Sequence, residues 1–187
     1  MENQTKIYDL EIDYETDYRE IKHPRLEFKT GRLFLVLPKN YKEEHNLIEK
    51  HKEWIYKKSL IIELAKKDAK KKIVKPKDDK ELKSFVHALV KKFSKEIGVE
   101  IKQIRFMKLK SKWGSCSVKK RLTFNILLKY LPENLIKYIV FHEVVHLREK
   151  DHNKRFWDTI FHKFKNYQKN EKELLAYWFL VQDLIKE

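Results

Sequence analysis

The residues able to do chemistry stand together at positions 142–146, as His142-Glu143-Val144-Val145-His146. On a helix, residues four apart lie one turn apart on one face, so two imidazoles at this spacing can reach a single metal ion. Glu143, beside the first of them, is within reach of a water at that ion and is the candidate general base. Zn2+ suits this donor set, because it accepts imidazole readily and imposes no rigid geometry of its own. So short a pattern also occurs on ordinary charged helices. Here Ile136, Ile139, Val140, Val144 and Leu147 surround it at helical spacing, which predicts a helix packed inside the protein.

A catalytic zinc takes three protein ligands and leaves one position open. His152, six residues after His146, is the first candidate for the third, since the chain can turn at 149–151 and bring its ring back. Glu149, Asp151 and His162 are the alternatives. The same histidine spacing occurs in metzincins, but these carry glycine where this chain has Glu149, so that assignment is not supported. Zinc acidifies water to a pKa of about 7 and polarises a carbonyl, so the predicted reaction is hydrolysis, with peptide-bond cleavage first. Glu143 would take the proton of the water and deliver it to the leaving amine. The oxyanion formed needs a further stabiliser. Tyr130, Tyr138, Arg148 and Lys112 are available, and the sequence selects none of them.

The elements that must position these groups follow from periodicity. From Pro132 the chain reads as helix in three pieces, about 133–149, 153–166 and 171–186. Strands are predicted at 103–109 and 121–128, with SKWGSCSVKK between them as a loop. Leu82, Phe85, Val86, Leu89, Val90, Phe93 and Ile97 form the apolar face of a helix at 80–97, stopped by Gly98. Residues 42–71 read as one helix, followed by a lysine-rich linker containing Pro76. Residues 5–14 alternate as a strand, and 25–37 read as a hairpin turned at Thr30-Gly31.

Composition bounds the rest. The chain has 187 residues, a single cysteine (Cys116) and a formal net charge of +15 from 43 Lys+Arg against 28 Asp+Glu. One cysteine excludes a disulfide within the chain, and Cys116 reads better as a buried structural thiol than as a thiolate ligand of zinc. No apolar run reaches the roughly 18 residues of a membrane span, so no membrane partner and a cytoplasmic location are expected. The positive charge can attract nucleic acid or nucleotides. The lysine run at 66–77 lacks interleaved aromatics, however, and reads better as a solvated face.

Three segments together resemble the YgjP-like metallopeptidases, relatives of the SprT-like and WLM zincins. They are HEVVHLREKDHNKRFW at 142–157, Lys112-Trp113-Gly114-Ser115-Cys116-Ser117, and LTFNILLKYLP at 122–132. HKEWIYKK at 51–58 is a weaker fourth match. The resemblance implies zinc held by His142, His146 and His152, with Glu143 catalytic. It names no substrate, and a nucleotide-phosphohydrolase activity has also been suggested for the group. Zincins pair an extended substrate with an edge strand beside the metal helix, so Trp113, Ser115 and Asn125 become candidate cleft residues. Phe156 and Trp157 read as anchors of the His152 turn.

The resulting expectation is an α+β protein with three parts. They are a small N-terminal antiparallel sheet (1–40), a connecting helix and Lys-rich linker (41–78), and a zincin-like domain (79–187) containing the HExxH helix. The expected partner is a peptide or protein substrate. Nucleotide hydrolysis, or nucleic-acid binding with a non-catalytic metal, is the alternative.

Overall fold

The computed structural model describes residues 2–185, and the chain forms two compact units, Met1–Asp68 and Ala69–Glu187. In the first unit, β1 (Glu2–Ile7), β2 (Leu10–Arg19), β3 (Arg25–Lys29) and β4 (Arg32–Pro38) form a sheet ordered β1-β2-β4-β3. The expected antiparallel pairing is present in both hairpins, β1 with β2 and β3 with β4. The hairpins join along β2 and β4 in parallel. Alternation could not disclose that join, because a strand's apolar pattern is the same in either direction.

Residues 5–14 are not one strand but the β1–β2 hairpin, turned at Tyr8-Asp9 with Tyr8 at φ +54°. Such turns are normally signalled by Gly or Asn, and this one carries neither. The turn brings Ile7 to the side of Ile12, and both are buried. The Thr30-Gly31 turn is as expected, with both residues left-handed at φ +49° and +82°. Leu33, Leu35 and Leu37 are completely buried.

The predicted helix at 42–71 is two helices, α1 (Glu44–Lys50) and α2 (Lys52–Ala69), broken at His51 with φ −115° and ψ 12°. Its apolar stripe survives the break, which is why the interruption was not legible. Leu47, Ile48 and Ile55 pack with the three leucines of β4. Trp54 and Ile61, next in sequence to the buried Ile55 and Ile62, stay exposed.

The second unit opens with α3 (Asp79–Ile97). The carboxylate of Asp78 accepts from the amides of Lys80 at 2.7 Å and Glu81 at 3.3 Å, satisfying two of the donors a helix start leaves unpaired. Gly98, at φ +68°, ends the helix in the left-handed region. Next come β5 (Gln103–Met107), β6 (Gly114–Cys116) and β7 (Arg121–Asn125), ordered β5-β7-β6, with β5 parallel and β6 antiparallel to β7. The segment read as a loop therefore contains the edge strand β6. Three residues are too few to show a period.

The second predicted strand stops at Asn125. Its side chain accepts from the Leu127 amide at 3.1 Å and starts a 3₁₀ turn at Ile126–Tyr130. The remaining helices are α4 (Glu133–Val145), α5 (Lys154–Lys163) and α6 (Tyr167–Leu184). α4 is apolar on nearly every side and buried accordingly, against Leu82, Val86, Val90 and Phe93 of α3 and Leu122 and Phe124 of β7.

Removing the Asp78 cap should cost about 1 kcal/mol. Asp78→Ala should therefore lower the thermal midpoint by about 2–4 °C, as followed by circular dichroism. An unchanged midpoint would deny the cap any part in stability.

Candidate metal centre

α4 carries His142 and Glu143 in its last turn, and His146 closes the helix at its C-cap. Beyond it the amides of Leu147, Arg148 and Glu149 bond back to the carbonyls of Val144 and Val145, so the chain tightens and turns. Asn153 then starts α5, its side chain accepting from the Phe156 amide at 2.9 Å. This reversal returns His152 to the helix, with Nε2 3.0 Å from Nε2 of His142. His142, His146 and His152 each offer a ring nitrogen, and these nitrogens all lie within 4.8 Å of one another. Ligands at 2.0–2.1 Å around a tetrahedral zinc stand about 3.3 Å apart, so the three nitrogens lie close to the spacing such an ion would need.

The tautomer of His146 is set. Nδ1 lies 3.0 Å from the carbonyl of Glu149, which can only accept, so Nδ1 carries the proton and Nε2 keeps its lone pair for a ligand. Burial and the two neighbouring rings push His142 down to about 3. His146 is also lowered, chiefly by burial. Both are therefore neutral near pH 7, the form that binds metal. The fully buried ring of Phe156 is a floor beneath all three imidazoles, with centroids at 4.9 Å from His142, 4.6 Å from His146 and 4.7 Å from His152. Trp157 stacks on His152 at 5.5 Å, and Tyr167 stacks on Trp157 at 4.9 Å.

Glu143 is 7% exposed, and burial raises its carboxyl to about 8 against the opposing pull of Lys112. It opens with the histidines onto a cleft of about 920 Å³. One wall of the cleft is β6. A Cβ at Gly114 would stand 2.7 Å from Cγ and 2.9 Å from Oε1 of Glu143, so only glycine lets the strand lie against this carboxyl.

Trp113 and Ser115 line the cleft, Trp113 with its ring edge-to-face against Trp178 at 5.0 Å. Asn125, expected as a cleft residue, is instead completely buried. Its Nδ2 donates to the carbonyls of Leu109 at 3.0 Å and Lys112 at 2.9 Å, so it shapes the loop that leads into β6. Its amide is enclosed by these loop carbonyls, and it is not among the residues that line the cleft. Among the four candidate oxyanion stabilisers, Lys112 and Tyr138 line the cleft, whereas Tyr130 and Arg148 do not. The Tyr138 hydroxyl donates to Glu171 of α6, a cleft residue that no sequence signal had marked. Cys116 is pushed up to about 11 by burial and the nearby Glu143, so its thiol stays neutral at pH 7. Among the described residues Glu149, Asp151 and His162 are not part of the histidine cluster.

A helix-borne His-Glu pair, a second histidine one turn on and a third returned by a tight reversal define a three-histidine centre beside an edge strand, an arrangement of the metallopeptidase kind. The chain belongs to the YgjP-like family: the model of the YgjP-like metallopeptidase domain matches residues 61–177. No curated protein matches. Two solved structures are similar in part. One is the metallopeptidase zymogen abylysin of Pyrococcus abyssi, at 22% identity over 49% of this chain and 93% of that one, with a TM-score of 0.46. The other is the metallopeptidase zymogen jannalysin of Methanocaldococcus jannaschii, at 27% identity over 58% of this chain and 98% of that one, with a TM-score of 0.41. Among the described residues no helix is long and apolar enough to cross a membrane.

The protonation pattern predicts how metal binding depends on pH. The imidazoles of His142 and His146 have no proton to lose near pH 7, while Glu143, at about 8, is mostly protonated there. A cation beside it favours the carboxylate, so loading at pH 7 should release about one proton, and affinity should rise with pH up to about 8. Calorimetric zinc titrations in buffers of different ionisation heat would measure this, and Glu143→Gln should release less. Equal release by both proteins would place the proton elsewhere.

Proposed function

We propose that this chain is a zinc-dependent peptidase in which His142, His146 and His152 hold the metal and Glu143 is the general base. The observation that supports this best is the convergence of three imidazole nitrogens within 4.8 Å, beside a buried carboxyl that opens onto a cleft. A zinc ion held there would supply a Lewis acid that polarises the substrate carbonyl and acidifies water. Glu143 then accepts the proton of the attacking water at its carboxylate and passes it to the amide nitrogen that leaves.

β6 supplies the place for the substrate. The backbone groups of Trp113 and Ser117 bond β7, through the Asn125 amide to the Trp113 carbonyl and the Ser117 amide to the Arg121 carbonyl. Backbone direction alternates along a strand, so the amides and carbonyls of Gly114 and Cys116 point outward, where no further strand of the sheet lies. An extended peptide can pair with them and carry its carbonyl past Glu143. Nucleotide hydrolysis rests on net charge and on the suggestion made for the group, nucleic-acid binding on net charge, and neither is preferred.

Wild type should carry about one zinc per chain by elemental analysis, and His152→Ala should lose it or bind it weakly. Glu143→Gln should keep the zinc and lose hydrolysis of an unfolded protein by at least about 100-fold. Full hydrolysis by that variant would end the mechanism. Gly114→Ala should also keep the zinc but lose turnover by about 10–100-fold, because a displaced base costs rate rather than metal. Unchanged turnover in Gly114→Ala would show that the contact with Glu143 does not position it.

A further inference from the structure

Between residues 101 and 132 the chain carries nine Lys or Arg and no Asp or Glu, although the whole chain has 28 acids for 43 cations. This segment contains β6, the wall along which the proposed substrate would lie. Three lysines reach the cleft itself. Lys112 stands just before β6, Lys120 in the turn that follows it, and Lys150 in the reversal after α4. Among the described residues none of the three is ion-paired to a carboxylate, whereas Lys129, in the same segment, is bound by Asp79 at 3.0 Å. The two acids of the cleft are committed differently: Glu143 is packed under Gly114, and Glu171 accepts from Tyr138.

We infer that the cleft selects extended peptides bearing Asp or Glu on both sides of the bond to be cut, received by Lys112, Lys120 and Lys150. The inference rests on the reading of β6 as a peptide-binding edge. Lys112 and Ser117, which opens the turn to Lys120, lie on either side of β6 and are five steps apart, at most about 17 Å of chain at roughly 3.3 Å per residue. A peptide of five or six residues laid on β6 therefore meets a cation at each end, with Lys150 contributed by the reversal. The same edge disfavours a basic peptide by like-charge repulsion. Peptide is favoured over nucleic acid because the cations flank outward backbone amides and carbonyls of a strand. A β-edge is complementary to those groups of a peptide and not to a sugar-phosphate chain.

The test uses zinc-loaded Glu143→Gln, so that binding is read without turnover. Fluorescein-labelled octapeptides matched in length, one rich in Glu and Asp, one with Gln and Asn in their places and one with Lys, are titrated by anisotropy at low and moderate salt. The acidic peptide should bind about tenfold more tightly than its amide counterpart, and added salt should shrink that margin. Changing Lys112, Lys120 and Lys150 together to Gln should abolish the margin while zinc content, measured in the same samples, stays at the parent level. Equal binding of the acidic and amide peptides overturns the inference, as does a margin that survives the triple change. Displacement of the acidic peptide by a single-stranded oligonucleotide at lower concentration also overturns it, in favour of nucleic acid. Wild type that shows the acidic margin in binding but cuts none of the peptides would uphold this selectivity and remove the peptidase reading instead.

Discussion

The centre depends on a helix that is buried on nearly every side and yet ends in polar side chains. α4 earns its place in the core through Leu135, Ile136, Ile139, Val140 and Phe141, and its last turn then presents His142, Glu143 and His146 to the cleft. A carboxyl this buried is costly to ionise, and near a helix C-terminus it gains nothing from the backbone dipole, which favours anions at the other end. The rings of His142 and His146 meet the same burial and stay neutral near pH 7. Without metal the site therefore holds a carboxyl biased toward its acid form and imidazole nitrogens drawn close together, with Nε2 of His142 and Nε2 of His152 3.0 Å apart. A divalent cation resolves both conditions at once, by accepting the lone pairs and favouring the carboxylate. The arrangement is thus intelligible as a cation site from burial alone.

What keeps three rings converged is aromatic packing more than hydrogen bonding. Among the described residues, His146 is the one of the three with a backbone partner, the Glu149 carbonyl. His142 rests on Phe156, and His152, which arrives from outside the helix, is held between Phe156 and the Trp157–Tyr167 stack. Flat, stiff side chains fix ring orientation at little cost in side-chain entropy, and ring orientation decides whether a nitrogen points at a metal. The Asn153 cap sets where α5 begins, and so where Phe156 and Trp157 fall.

Local periodicity made much of this legible. The i, i+4 histidines, the α3 stripe ended by Gly98, and the Thr30-Gly31 hairpin each depend on neighbours within a few residues, and each stands where its residues placed it. The return of His152 was legible only as a spacing that permits a turn. The features missed are those that tertiary contacts decide. Tyr8 takes a left-handed turn without the glycine that would announce it. His51 breaks a helix whose apolar stripe runs on. Asn125 has the composition of a cleft residue but spends its amide on the carbonyls of Leu109 and Lys112. Glu171 lies among the polar residues that open α6, and its part in the cleft is set by its contact with Tyr138.

β6 shows most clearly why short strands escape sequence reading and still govern a site. A strand of three residues has no period, and glycine within it weakens strand formation. Here the missing side chain is what allows the backbone to lie against Glu143. The loop leading into the strand is held by Asn125, and Cys116 at its far end is a half-buried neutral thiol. The consequence is geometric. Because the edge that would receive a peptide and the wall that confines Glu143 are the same few atoms, any peptide paired with Gly114 and Cys116 would be placed relative to that carboxyl without the involvement of another element. The register of such a peptide and the position of the Glu143 carboxyl would then be one structural variable, set by how closely this strand approaches α4.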